Sequence, residues 1–363
     1  MSTEEKKMKR IQFHDREREI NELMKILDVE PSLITFIYGP INSGKTTMID
    51  HLIKELPEDY VFFYVNLRGR FITDYEDLLN VLFEIYEGDV VNNVTEYAKS
   101  ILKDLGAVSG IPIPINLFEQ IFEKKDKSKD VFKYMEQFFI EISKKRTPVL
   151  IIDELQVVGD IKINGLLMYK LFNFFIRLTK ELHLCHVFAV SSDSLFIEQV
   201  YSEAMLQGRS RHLLVDDFSE ETTMDFLDAY GFTDVEKELA WKYCGGKPIY
   251  LVELVTTEEN RKKKAEEMLG IRIGQIEGVI EDAREFGYKV FYGEERIVLD
   301  EAHIRESLEK FRDRDYLKAS ELSKSVKLGL IKANILFLDP VKQIIKPQSR
   351  LDLLVIREVI SDA

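Results

Sequence analysis

Leu33-Ile-Thr-Phe-Ile-Tyr38-Gly39-Pro-Ile-Asn-Ser-Gly44-Lys45-Thr46-Thr47 is the stretch whose reading decides the fold. An apolar, β-rich run enters a loop with the spacing G-x-x-x-x-G-K-[ST], and an amphipathic helix carrying Met48, Ile49, Leu52 and Ile53 follows. Glycines at both ends let the backbone turn its N–H groups inward, and the helix aims its positive end at the same point, so the loop is expected to cradle phosphate. The expected contact set is Gly39, Pro40, Ile41, Asn42, Ser43, Gly44, Lys45, Thr46 and Thr47. Lys45 is expected to reach the β- and γ-phosphates, and Thr46 to ligate Mg²⁺.

A second landmark lies about a hundred residues on. Val149-Leu-Ile-Ile-Asp153-Glu154 is an apolar strand ended by two carboxylates, the Walker B pattern. Neighbouring residues at a strand end point to different sides. Asp153 is therefore expected to face the Mg²⁺ beside Thr46, and Glu154 the position of an attacking water.

The rest of the chain is read outward from these two points. Asp15 is expected to cap a helix in which Ile20, Leu23, Met24 and Leu27 recur at helical spacing. Tyr60–Val65 reads as a strand and Tyr75 to Leu105 as helical. Gly106 to Pro114, with two prolines and two glycines, reads as an irregular insertion. A helix over Val131–Lys144 precedes the Walker B strand, and a Leu/Phe-rich helix over Leu166–Leu182 follows it. His186–Val190 is expected to lie between the loop strand and the Walker B strand, with Ser192 or Asp193 at its end as a γ-phosphate sensor. Arg209 precedes a short strand, His212–Val215, and is expected to offset transition-state charge on a neighbouring subunit's nucleotide. Ser219 is expected to cap the next helix, Gly245-Gly246 to end another, and Pro248 to start a third. Near the C-terminus, Asn334–Leu338, the turn Asp339-Pro340 and Val341–Ile345 form a strand-turn-strand, with a final helix over Leu351–Ile360.

Composition sets outer bounds. The 363 residues suffice for two or three units, and the 45% hydrophobic fraction is that of a globular protein. No uncharged apolar run reaches membrane-spanning length and the first residues are charged, so a cytoplasmic protein without membrane contact is expected. Cys185 and Cys244 read as free thiols, and His183-Leu-Cys185-His186 as structural filler, not a metal cluster. The formal net charge of −14 disfavours nucleic acid overall, but residues 318–350 carry seven basic side chains against Glu321 and Asp339. DNA binding through that region stays open as a reading.

Phe13-His-Asp15-Arg16-Glu17, Gly39 to Thr46, Ile152-Asp153-Glu154-Leu155-Gln156, Gly208-Arg209, Gly245-Gly-Lys-Pro248 and Asn334-Ile-Leu-Phe with Pro347-Gln-Ser349 together resemble the archaeal ATPase family of STAND-type P-loop proteins, relatives of the AAA+ origin-recognition ATPases. The resemblance implies an α/β fold: a three-layer P-loop domain of the ASCE type over residues 13–215 behind a flexible tail (1–12), a helical lid (216–275) and a winged-helix-like C-terminal domain (276–363). It implies that ATP or ADP binds with Mg²⁺, that Arg16 and Glu17 lie near the adenine, and that Pro248 contacts nucleotide from the lid. It implies Lys45 on phosphate, Thr46 and Asp153 on metal, and Glu154 as base. No arginine stands near Pro248 as an AAA+ sensor 2 requires. That departure favours a slow ATPase acting as a nucleotide-driven switch. The alternatives are an ATP-gated DNA-binding protein and a nucleotide-binding scaffold with little turnover, whose partner is another protein or a second copy of the chain. The Gly106 to Pro114 stretch and the helix after Gly165 are the expected partner surface of that scaffold.

Overall fold

In the computed structural model, residues 11–72, 75–86, 93–103, 107–122, 127–159, 166–202, 206–257, 259–292 and 295–361 are described. The tail Met1 to Arg10, and Gly106 and Gly165, lie outside them. Six parallel strands form the central sheet, in the spatial order Ala107–Ser109, Tyr60–Asn66, Thr147–Asp153, His186–Ser191, Ile34–Tyr38, Ser210–Leu214. The strand His186–Ser191 does separate the loop strand from the Walker B strand.

Period-two alternation divides the core. Phe36, Phe63, Leu150 and Val187 point to one face, where Phe138, Phe139 and Phe175 cover them. Ile37, Phe62, Ile151 and Phe188 point to the other, beneath Leu23 of helix Glu17–Leu27 and Met48 and Leu52 of helix Lys45–Glu55. Both faces are buried, as an all-parallel sheet requires. The result is the expected three-layer α/β/α arrangement.

Two expectations fail between the second and third strands of the sequence. Tyr75 to Leu105 is not one helical stretch: helices Tyr75–Leu82 and Val94–Ile101 flank a strand, Phe83–Tyr86. Residues Ala107 to Pro114 are not irregular either. Ala107–Ser109 joins the edge of the main sheet, and Ile111–Pro114 pairs in parallel with Phe83–Tyr86 as a separate two-stranded sheet. Ile111–Pro114 tolerates its prolines because it has one strand neighbour, so N–H groups on its other side have no ladder to serve.

Beyond the sheet, helices Glu220–Ala229, Asp234–Cys244 and Pro248–Thr256 enclose a small core around Phe226, Leu227, Leu251 and Leu254. Ser219 caps the first by accepting from the Thr222 N–H, Gly245 ends the second, and Pro248 opens the third. The 26-residue helix Arg261–Phe286 then runs without a break through positions 275 and 276. Its Ala265 packs in the small helical core and its Ile276 and Ile280 in the C-terminal one, so a single rod joins the two.

The C-terminal part continues with a hairpin (Tyr288–Tyr292, Glu295–Leu299), helix Glu301–Glu309, strand Leu317–Lys318 and helix Lys324–Lys332. Strands Leu336–Asp339 and Ile344–Pro347 and helix Arg350–Ser361 complete it. The three strands that follow the hairpin form an antiparallel sheet with Ile344–Pro347 in the centre. The second strand of the expected pair thus begins at Ile344, after a turn through Pro340 to Gln343. This part lies directly against the parallel sheet. Phe337 is fully buried in the sheet's core, while Leu195, beyond the strand His186–Ser191, is buried in the C-terminal core. The Tyr38 hydroxyl donates to Asp339 Oδ1 at 2.9 Å across the same boundary.

Candidate nucleotide site

The site grows from the end of strand Ile34–Tyr38. Gly39 is required there because a Cβ would lie 2.0 Å from the Val215 carbonyl oxygen, where the neighbouring strand's exit crosses the loop. Gly44 has φ 89°, a left-handed conformation costly for a side chain with Cβ, and sits immediately before the helix that Lys45 opens. The Lys45 ammonium folds back on its own loop, donating to Gly39 O at 3.0 Å and Pro40 O at 2.9 Å. Burial, reinforced by the nearby Lys247 ammonium, pushes Lys45 down to about 7.

Across the sheet the Walker B strand brings its carboxylate to this loop. Thr46 Oγ1 donates to Asp153 Oδ2 at 2.8 Å, over a separation of 107 residues. The Tyr64 hydroxyl donates to the same oxygen at 2.9 Å, and burial beside this carboxylate pushes the phenol well up, so it remains a donor. Two cis ligands of an octahedral Mg²⁺ with bonds near 2.0–2.1 Å stand about 2.9 Å apart, so these two oxygens fit one edge of such a site. Among the described residues no group of three His, Cys, Asp or Glu side chains gathers to hold a metal. Any Mg²⁺ here would take its remaining ligands from phosphate and water.

Glu154 turns away from Asp153. Its φ of 60° bends the chain at the strand exit, and its side chain is 11% exposed. Arg68 donates to Glu154 Oε1 through Nε at 3.1 Å and through Nη2, and the Gln156 amide donates to Oε2. Glu154 therefore rests paired to a guanidinium that is itself 70% exposed.

On the opposite side of the loop a cavity of about 300 Å³ is bounded by Phe13, His14, Phe218, Pro248 and Val252, with Gly44 and Thr47 on its floor. Its walls are largely apolar and aromatic, the lining that a planar heterocycle requires. Arg16, 4% exposed, fixes this wall to the loop: its guanidinium donates to Ser43 O and Asp216 O, both at 2.7 Å, and lies 4.7 Å from the Phe218 ring centre.

Asp15 does not cap the helix as expected. Asp15 and Arg16 both have positive φ (59° and 85°), Arg16 occupies the cap position, and no side chain caps it. This left-handed turn is what aims Arg16 at the loop.

Other residues proposed from sequence divide clearly. Arg16 and Pro248 reach the apolar cavity, whereas Glu17 is exposed and does not line it. Ser192 lines the cavity beside Lys45 and Thr46, and Ser192 and Asp193 both line the one beside Glu154. Asp193 also caps helix Ser194–Ser202, accepting from Leu195 N at 2.8 Å and Phe196 N at 3.2 Å. Arg209 is not brought to the site of its own chain. It adjoins Ser210, which pairs with Ile34 at the start of the loop strand, while the loop follows Tyr38. Five residues of strand place the two ends roughly 16 Å apart.

The basic 318–350 region faces inward in part. Lys327 pairs with Glu198 at 2.7 Å, Lys332 with Asp193 at 3.3 Å and Lys346 with Asp216 at 2.6 Å, all across the boundary with the parallel-sheet domain. Burial works against the Asp216 carboxylate, but the Lys346 ammonium beside it prevails and holds it below its ordinary range. Lys247, 3% exposed, joins Asp217 at 2.8 Å to Ile41 O at 3.0 Å.

Sequence reasoning missed Tyr64, Arg68, Phe218, Lys247, Lys332 and Gln348. Lys247 and Gln348 carried a signal as neighbours within quoted motifs, and Lys332 as one of the seven basic residues of 318–350.

A family model described as an ATPase domain predominantly from Archaea matches residues 13–254, and the model of an MJ1010-like uncharacterized ATP-binding protein's C-terminal domain matches residues 262–360. The chain is 44% identical over 349 residues to an uncharacterized ATP-binding protein of Pyrococcus abyssi, covering 96% of this chain and 98% of that one. It is likewise 44% identical over 366 residues to an uncharacterized ATP-binding protein of Methanocaldococcus jannaschii, with 97% and 98% covered. A solved Walker-type ATPase of Pyrococcus abyssi shares the fold, with a TM-score of 0.59 at 16% identity over 95% of this chain and 96% of that one. With one model spanning the sheet and helical core and with relatives matched over nearly their whole length, the chain belongs to the family of ATPase domains found predominantly in Archaea.

Proposed function

We propose that the protein binds ATP with Mg²⁺ and hydrolyses it slowly, the cycle acting as a switch between the nucleotide domain and a winged-helix-like C-terminal domain. The observation that carries this reading is the 2.8 Å contact between Thr46 and Asp153, two oxygens at the end of the Gly39–Thr46 loop that would hold the metal. The names of its relatives as ATP-binding proteins support the nucleotide, and the apolar cavity at Phe13 and Phe218 supports its base.

In this reading, loop N–H groups and Lys45 hold the phosphates, and Thr46 and Asp153 hold the metal, which offsets phosphate charge when bound. Glu154 orients and deprotonates water once it exchanges Arg68 for it. Lys45 has to leave its own carbonyl oxygens to meet phosphate. Because phosphate favours the charged ammonium, binding above pH 7 should take up a proton, and affinity should fall as pH rises from 7. Titration calorimetry at pH 8 in two buffers of different ionisation heat reads that uptake, which should vanish at pH 6. The same shift means that charged Lys45 opposes folding below pH 7, a penalty relieved between pH 7 and 10.5, where the unfolded chain alone keeps the proton.

Phosphate release from ATP by the full chain, with and without Mg²⁺, tests the proposal. Metal-dependent turnover supports it; nucleotide binding without turnover leaves the scaffold reading. Duplex DNA at low salt is expected to leave turnover unchanged, because Lys327, Lys332 and Lys346 already face carboxylates of the same chain.

A further inference from the structure

A second cavity, of about 260 Å³, lies on the Glu154 side of the loop, between the parallel-sheet domain and the C-terminal part. Arg68, Glu154 and Ser192 stand on one wall, and Lys332 and Gln348 on the other. Arg68 and Ser192 also line the cavity over Lys45 and Thr46, so the two spaces adjoin. A nucleotide with its base at Phe13 and Phe218 and its middle phosphate at Lys45 would have its last phosphate near the junction of these two spaces, and Lys332 lines the second of them.

One contact of Lys332 across the boundary is open to exchange. Its pair with Asp193 spans 3.3 Å, with the two side chains 31% and 22% exposed, a solvated contact of the weak kind. Asp193 does not depend on it, since its other oxygen accepts two backbone N–H groups at the start of helix Ser194–Ser202. A phosphate carrying close to two charges is the stronger partner for an ammonium. Gln348 makes the mechanical link: its Oε1 accepts from the Ile41 N–H of the loop at 3.3 Å, while its Nε2 donates to Leu336 O at 3.0 Å within its own domain.

We propose that the C-terminal domain reads the terminal phosphate of the nucleotide, with Lys332 as the group that binds it and Gln348 as the tie that holds the domain against the loop. This rests on the ATP reading above. A diphosphate leaves Lys332 on Asp193, and a triphosphate engages it, so the third phosphate is sensed by a domain that the loop and Walker B strand do not contain.

The test is calorimetric titration of the full chain with Mg²⁺-ADP and with the Mg²⁺ complex of a non-hydrolysable imido analogue of ATP. The wild type, Lys332→Ala, Lys332→Arg and Lys327→Ala are compared. Lys332→Ala should weaken the triphosphate analogue about ten- to a hundredfold, the loss of one charge-assisted contact, with ADP affinity unchanged. Lys332→Arg should recover most of that loss. Lys327→Ala breaks a neighbouring cross-domain pair away from the cavity and should leave the ratio of the two affinities at the wild-type value. An unmoved ratio in Lys332→Ala overturns the inference alone, and so does an equal shift in Lys327→Ala, which would reduce the effect to domain contact. A wild type that binds neither nucleotide overturns the ATP reading and this inference together.

Discussion

Glu154→Gln is expected to keep nucleotide affinity within a few-fold of wild type while lowering turnover about 10²–10⁴-fold, the range that a positioned general base contributes. The amide has the shape of the carboxylate and its one oxygen can still accept from Arg68, with Gln156 turning its own amide to accept from the new N–H, but it cannot take a proton from water. Stability should change little, because Arg68 is 70% exposed and a pair that open to solvent contributes little to folding. Phosphate release and calorimetric binding on the same preparation separate the two effects. Turnover within a few-fold of wild type would remove Glu154 from the chemistry.

Phe337→Ala is expected to destabilise the folded chain by about 3–5 kcal/mol, the usual cost of emptying a buried phenylalanine site. Phe337 is fully buried, and its placement explains why the cost should be high. On strand Leu336–Asp339, Leu336 and Leu338 point into the C-terminal core, while Phe337 points the other way into the core of the parallel-sheet domain. The strand is thus packed on both faces, and the cavity would open where two domains meet. Around it, Ser194 Oγ accepts from Leu338 N at 3.3 Å and Tyr38 donates to Asp339, contacts that hold the backbone in place and limit collapse into the void. Urea unfolding monitored by the single tryptophan, Trp241, and by far-ultraviolet dichroism gives the change in midpoint. A loss below about 1 kcal/mol would show that the aromatic ring is not part of a shared core.

The phosphate loop and the Walker B strand were legible because their chemistry is local. Consecutive backbone N–H groups, a glycine at each bend and a helix start are all written within nine residues, and a strand ending in Asp153-Glu154 needs only its own alternation. Cap residues were legible for the same reason at Ser219 and Pro248. Asp15 was not, since the positive φ at Asp15 and Arg16 belongs with the reach of Arg16 to Ser43 and Asp216. Phe83–Tyr86 and Ile111–Pro114 were misread because each becomes a strand only by pairing with the other, and a proline-bearing segment gives no local sign of that partner.

The sequence by itself thus determined the fold class, the strand order around the loop and the loop and strand-end residues that the fold brings together, because those depend on short-range backbone geometry. Only the tertiary structure decided what surrounds them. Arg68 is paired to Glu154 across 86 residues, Arg209 is carried to the far end of the sheet, and the C-terminal Lys332 and Gln348 are brought to the loop's open side. The physical reason is that charged and amide side chains carry no periodic signal. Their partners are set by which strands and helices the buried core draws together.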